Sequence, residues 1–324
     1  MAELTACPPW LREDGQALMS RSREGRLPHA ILLGGIHGIG KRAFSQWLSE
    51  SLLCRNRGES GACGQCDSCL QLLAGAHPDF RKLLPEGANA AIKVDPVRDL
   101  VEWLQLTASQ GSYRIAVLEQ ADSMNRSAAN SLLKTLEEPS DHAVIILTAT
   151  RTGALPATIR SRCQTINLKM HDRAAAIEWL SASVQDPETA LLEAGGGPYA
   201  ALAMQNDEYL AARELLLKAW HDLFLHKGSV GRISDSLADL ETSLCLATFS
   251  RWTLLAAKQG ANLSIEANPA VMEVISETRD RLRSEQWFTL HERLLQLHRS
   301  DSASFKTQAV LEGMFADTRI MTNS

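Results

Sequence analysis

The segment Ala30-Ile31-Leu32-Leu33-Gly34-Gly35-Ile36-His37-Gly38-Ile39-Gly40-Lys41-Arg42 passes from an aliphatic run, through a glycine-rich loop, into the helical pattern of residues 42–53. Gly35, four intervening residues, Gly40 and Lys41 fit the strand, loop and helix of a phosphate-binding loop. Gly35, Gly38 and Gly40 let backbone N–H groups turn inward on an anion, and the next helix adds its positive end. The bare pattern occurs by chance in roughly one chain in ten of this length, so an ordinary tight turn is the competing reading. The strand before it and the helix after it favour the phosphate loop.

Two residues depart from a working site. After Lys41 a hydroxyl should hold Mg²⁺, but the residue is Arg42, which only donates hydrogen bonds. A second aliphatic run, Ile115–Leu118, ends in Glu119-Gln120 where a nucleotide hydrolase of this kind shows Asp-Glu. Gln120 is a neutral amide and takes no proton from an attacking water, a role worth ~10²–10⁴ in rate. Efficient hydrolysis by this chain alone is therefore not expected. ATP or ADP binding without hydrolysis stays open, since Lys41 and the glycines persist.

Outward from this loop, the first half alternates short aliphatic runs with helical patterns, the mark of an α/β domain with a parallel sheet. Strands are expected at Ala30–Leu33, Asp79–Leu83, Ile115–Glu119, Ala143–Thr148 and Gln164–Leu168. The clearest helix runs from about Ser127 to Glu138, with Ala128, Leu132 and Leu136 on one face and Pro139 ending it. Beyond Leu168 the strand signals stop. Residues 169–206 read as short helices broken by Pro187 and by Gly195-Gly196-Gly197-Pro198. Residues 207–324 read as a helical bundle, with Leu216, Trp220 and Phe224 on one face and Cys245, Phe249, Trp252 and Ala256 on another. Leu282, Leu290, Leu294, Leu297, Phe305, Leu311 and Phe315 continue that pattern.

The chain has 324 residues with 45% hydrophobic and 22% charged, ordinary globular usage. Its longest apolar-rich run, residues 143–149, is far short of the ~18 residues a membrane span needs, so a cytoplasmic protein with no membrane partner is expected. With 33 Lys+Arg against 38 Asp+Glu, the net charge of -5 gives no global attraction for nucleic acid. Four of the seven cysteines, Cys54, Cys63, Cys66 and Cys69, follow the spacing C-x8-C-x2-C-x2-C. Two-residue spacing lets thiolates converge from a tight turn, and four complete the tetrahedral shell of a structural Zn²⁺. A redox dithiol is the competing reading. With four thiolates no position stays open for water, so the metal has no catalytic part.

Downstream, Leu155-Pro156 breaks the chain, and Ser161-Arg162-Cys163 sits just before the last strand. By spacing alone Arg162 reads as a solvated surface charge.

Taken in order, the phosphate-loop segment, the four-cysteine insertion, the stretch RIAVLEQADSMNRSAANSLLKTLEEPS (residues 114–140) and IRSRC (residues 159–163) resemble the clamp-loader branch of the AAA+ proteins that serves bacterial DNA polymerase III. The likeness is dense over about residues 10–168; the helical remainder agrees in length and order. It implies an AAA+ nucleotide-binding-like domain over 1–168 with a zinc insertion at about 54–69, a helical lid over 169–206, and a C-terminal helical collar over 207–324 that joins subunits in a ring. It also implies a five-stranded parallel sheet with helices on both faces, and partners in the gamma/tau ATPase subunits and the delta subunit. Through the complex, the sliding clamp and primed DNA would be reached. In that family the arginine of SRC reaches into a neighbour's ATP site, so Arg162 becomes a finger acting in trans. Arg42 and Gln120 separate this chain from the ATPase subunit and fit a non-hydrolysing stator that is part of the polymerase holoenzyme. Thr150 falls near the first nucleotide-sensing residue, or is an ordinary strand-end Thr; Tyr199 stands about where a lid arginine would. Two other readings compete: a working ATPase that uses Glu119 for its metal, and a DNA-contacting module.

Overall fold

The computed structural model describes residues 3–87, 90–109, 113–265, 267–299 and 307–322. Five strands, β1 (Ala30–Gly34), β2 (Phe80–Leu83), β3 (Arg114–Leu118), β4 (Ala143–Ala149) and β5 (Gln164–Asn167), form one sheet in the order β2-β3-β4-β1-β5. All neighbouring pairs are parallel, so each return must cross over through a helix or loop. β1, β3 and β4 are buried at every residue, which is why they read as unbroken aliphatic runs rather than alternating ones.

The helices of this part are α1 (Arg12–Arg23), α2 (Lys41–Leu53), α3 (Asp67–Leu73), α4 (Val94–Leu104), α5 (Arg126–Glu137) and α6 (Ala157–Arg160). Register puts Ala30, Ala116 and Ile145 side by side on one face, where Val97 and Leu100 of α4 and Leu132 and Leu136 of α5 cover them. The opposite face meets α2, whose Phe44 and Leu48 are fully buried. At its start, α5 is capped by the Asn125 side chain, which accepts from the Ala128 amide at 2.8 Å.

The expected strands are all present, with small shifts at their ends. β3 begins at Arg114, and Asp79 lies just outside β2. Both are buried and form an ion pair, Arg114 Nη2 to Asp79 Oδ1 at 3.0 Å, while Arg114 also lies over the Trp103 ring.

Beyond β5 come α7 (Arg173–Ser181), α8 (Pro187–Glu193) and α9 (Pro198–Ala203), then α10 (Asp207–Phe224), α11 (Val230–Asp235), α12 (Thr242–Gly260), α13 (Pro269–Thr278), α14 (Ser284–Arg299) and α15 (Thr307–Thr322). Pro187 and Pro198 each open a helix, where a missing N–H costs nothing. The chain separates into two compact units, residues 1–187 with 194–200, and residues 188–193 with 201–324. The second is all-helical among its described residues, around a core holding Trp220, Phe224, Phe249, Trp252, Trp287 and Phe315. Trp220 stacks on Trp287 at 5.6 Å and donates its indole N–H to Thr278 Oγ1 at 2.9 Å. Phe305, expected in this pattern, lies outside the described residues. No helix among the described residues is long and apolar enough to cross a membrane.

Candidate functional site

The phosphate loop leaves the C-terminal end of β1 in the interior of the sheet and runs into α2, whose first turn closes with the Phe44 amide donating to the Gly40 carbonyl at 2.8 Å. Gly35, Gly38, Gly40, Lys41 and Arg42 are thus together at one end of the sheet, as the sequence predicts. Lys41 folds back on its own loop, its Nζ donating to the carbonyls of Gly35 and Ile36 at 2.8 Å each. Burial pushes its ammonium down to about 8, and the charge of Asp122 holds it from falling further.

The 199–200 segment packs directly on the loop at Gly38. Gly38 has φ +73, and a Cβ there would lie 2.3 Å from Ala200 Cβ. The Tyr199 amide donates to the Gly38 carbonyl at 2.9 Å, and the Tyr199 ring packs with Trp10 and Trp179. Only glycine fits at 38, because an L side chain meets both a positive φ and a neighbouring backbone.

Glu119, at the end of β3, is buried, and cations gather on it. Arg42 Nε lies 3.4 Å from its Oε1 and Lys82 Nζ lies 3.8 Å from the same atom. A buried carboxylate needs a counter-charge, and these two side chains supply it. Gln120 adopts a left-handed backbone with φ 52, and its backbone N–H donates to Thr148 Oγ1 at 3.1 Å. Thr148 thus meets the backbone of Gln120, and Thr150, read from sequence as a nucleotide sensor or an ordinary strand-end Thr, is exposed just past β4. Asp122 accepts from the Arg151 amide at 2.9 Å and acts on Lys41 through charge. Thr148, Asp122, Lys82 and Ala200 escape sequence reasoning, since none stands at a fixed spacing from the loop, whereas Tyr199 is singled out there as standing where a lid arginine would. Asp122 alone carried a signal, being three residues past Glu119.

The four cysteines converge. Their sulfurs all lie within 4.8 Å of one another, with Cys54–Cys66 at 3.9 Å, Cys63–Cys69 at 3.9 Å and Cys66–Cys69 at 3.5 Å. A tetrahedron of Zn–S bonds near 2.3 Å has S···S edges of about 3.8 Å, so the donor set fits a metal such as zinc. Backbone N–H groups supply the outer shell. Those of Gln65 and Cys66 lower the Cys63 thiol. Burial raises Cys66, but the amides of Cys69 and Arg55 with the Cys69 and Cys63 thiols bring it down to about 6. Burial raises Cys54 and Cys69.

The cysteine loop is tied to the sheet unit on two sides. Gly61 has φ +122, and a Cβ there would sit 2.5 Å from Trp47 Nε1 of α2. Ser68 Oγ donates to the Leu53 carbonyl at 2.8 Å and lies 3.0 Å from His77 Nε2. His77 Nδ1 accepts from the Asp79 amide at 3.1 Å, so the Nε2 position carries the proton, and burial keeps the ring neutral.

Arg162 follows α6, and its side chain is one-third exposed. Its Nη1 donates to the Thr158 carbonyl at 2.9 Å, and its Nη2 pairs with Glu137 Oε1 at 2.5 Å. Read from sequence as a free surface charge or a finger, it is held within the chain by Glu137, the last residue of α5.

A profile of the family described as "DNA polymerase III, delta subunit" matches residues 12–172. The chain is 36% identical over 251 residues to DNA polymerase III subunit delta' of Pseudomonas aeruginosa, covering 76% of each protein. To the subunit delta' of Escherichia coli it is 37% identical over 215 residues, which are 65% of this chain and 64% of that one. It is also 34% identical over 148 residues to DNA polymerase III subunit tau of Escherichia coli, 46% of this chain and 23% of that one.

Proposed function

Since this chain belongs to the family of delta prime subunits of the bacterial DNA polymerase III clamp loader, we propose that it works there as a stator: it hydrolyses no ATP itself and completes a neighbour's ATP site with Arg162. The observation that carries the first half is the Arg42–Glu119 pair. With Arg42 and Lys82 facing Glu119 Oε1, a magnesium ion would compete with two cations for its carboxylate ligand and lacks the hydroxyl that Arg42 replaces. Gln120 supplies no base, because its side chain is a neutral amide. Lys41 already spends two hydrogen bonds on loop carbonyls, and Ala200 stands against Gly38, so ATP or ADP is not expected to occupy the loop. The same features count against a working ATPase that uses Glu119 for its metal.

In this reading the three-part division stands as 1–168 for the nucleotide-binding-like AAA+ domain, 169–206 for the lid and 207–324 for the collar. Zinc held by Cys54, Cys63, Cys66 and Cys69 folds the insertion and takes no part in chemistry, because all four coordination positions are thiolates. The partners are the gamma/tau ATPase subunits and the delta subunit, with the sliding clamp and primed DNA met through the complex, in the cytoplasm.

The second half is tested at Arg162. In a complex reconstituted from this chain, a gamma/tau-type ATPase subunit and a delta subunit, Arg162→Ala should leave assembly intact and cut DNA- and clamp-stimulated ATP hydrolysis. At the one site it completes, the loss should approach the ~10³–10⁵ that such a charge contributes to phosphoryl transfer. Unchanged stimulated turnover removes the finger.

A further inference from the structure

Arg162 is not waiting in solvent. Its Nη2, the donor farthest from the backbone with Nη1, is paired with Glu137 at 2.5 Å, and Nη1 is anchored to the Thr158 carbonyl at 2.9 Å and lies 3.4 Å from Ser161 Oγ. The two ends of this pair are set by packing rather than by chance approach of long side chains. Glu137 follows Leu136 on α5, Arg162 follows Ile159 of α6, and Leu136 and Ile159 are buried in the same core cluster. The two backbone positions that carry the pair are therefore fixed beside each other, while the side chains themselves stay partly exposed.

Arginine meets carboxylates and phosphates through the same N–H fork. A phosphate oxygen arriving from a neighbouring subunit must take over Nη2 from Glu137, while the Thr158 carbonyl can keep Nη1. We propose that Glu137 is a positioning residue that parks Arg162 against its own chain until a neighbour's triphosphate displaces it. This rests on the reading of Arg162 as a finger acting in trans, and it assigns that finger an off state built into this chain. The side chains of Arg162 and Glu137 are 34% and 49% exposed, so the restraint is that of a surface ion pair, weak enough for a polyanion to break and sensitive to salt. Its size corresponds to no more than about five-fold in the population of released arginine.

The test uses the full chain in the reconstituted complex, with ATP hydrolysis measured with and without clamp and primed DNA. Glu137→Gln keeps an acceptor but loses the charge, and should raise unstimulated hydrolysis about two- to five-fold, so that the ratio of stimulated to unstimulated turnover falls. The excess should shrink as salt is raised from ~0.05 M to ~0.5 M, which a purely structural role of Glu137 would not produce. Glu137→Asp, which retains the charge on a shorter stem, should return most of the restraint. Glu137→Gln combined with Arg162→Ala should behave as Arg162→Ala alone. If Glu137→Gln leaves unstimulated turnover equal to or below wild type while Arg162→Ala still lowers the stimulated rate, the parking role is wrong and the finger stands. If Arg162→Ala changes nothing, both fall together.

Discussion

Lys41 and Arg42 are adjacent cations that meet two different fates, one bent onto the glycine loop and the other drawn to buried Glu119. Lys41 carries a titration signature of that confinement. Burial sets its ammonium at about 8 against an ordinary 10.5, with Asp122 opposing the shift. Between those two values the unfolded chain holds the proton and the native chain does not, so this residue makes stability rise with pH across that window. Below about 8 the buried charge is a cost. Urea unfolding followed from about pH 7.5 to about pH 10 should therefore show a steeper gain for wild type than for Lys41→Met. Equal slopes would place the ammonium in solvent. Much of this region is legible in the sequence, because the loop, the lysine and the missing hydroxyl are local. The counter-ion of Arg42 is not, since Glu119 lies 77 positions away and only the parallel pairing of β3 and β4 beside β1 brings it near.

At the scale of elements, the cysteine loop between α2 and α3 has little apolar content, and its order depends on what joins its four sulfurs. Trp47 and Ser51 under Gly61, and the Ser68–His77 link, connect it to α2 and β2. Removing the metal should therefore loosen more than the loop. A chelator strong enough to strip zinc, or Cys66→Ser, should lower Tm by about 2–4 °C for each kcal/mol lost in a unit of this size. Metal content should fall in parallel from about one zinc per chain, and ATP turnover by the complex should change little while the protein stays folded. A wild-type protein with no zinc and an unmoved Tm ends the metal assignment. Cysteine spacing made this element readable, as a metal site imposes short fixed intervals. The α5–α6 contact gave no such sign. Glu137 and Arg162 stand 25 residues apart, and a glutamate at a helix end is an ordinary surface residue until the fold sets an arginine beside it. The buried Asp79–Arg114 pair escaped for the same reason, each charge alone looking like a solvated strand end.

For the whole molecule, charge separates the roles left open. Thirty-three basic residues against thirty-eight acidic ones leave the chain at -5, so its mean field repels a phosphate backbone rather than collecting one. The helical unit adds no counter-argument: Trp220, Phe224, Trp287 and Phe315 are consumed in its own core, which is why the second half showed its fold in apolar spacing and nothing of its chemistry. On the proposed function, in which DNA is met through the complex, the chain needs no strong affinity of its own. The isolated chain should accordingly bind primed DNA no more tightly than ~10⁻⁵ M at physiological salt, within or below the range of non-specific binding. Fluorescence anisotropy across a salt series measures this directly. Micromolar or tighter binding with a steep loss on added salt would reveal a basic face that net charge conceals, and would move the chain toward the DNA-contacting role. A flat, weak response leaves its contribution to replication in contacts with neighbouring subunits, the setting proposed above for Arg162 and Glu137.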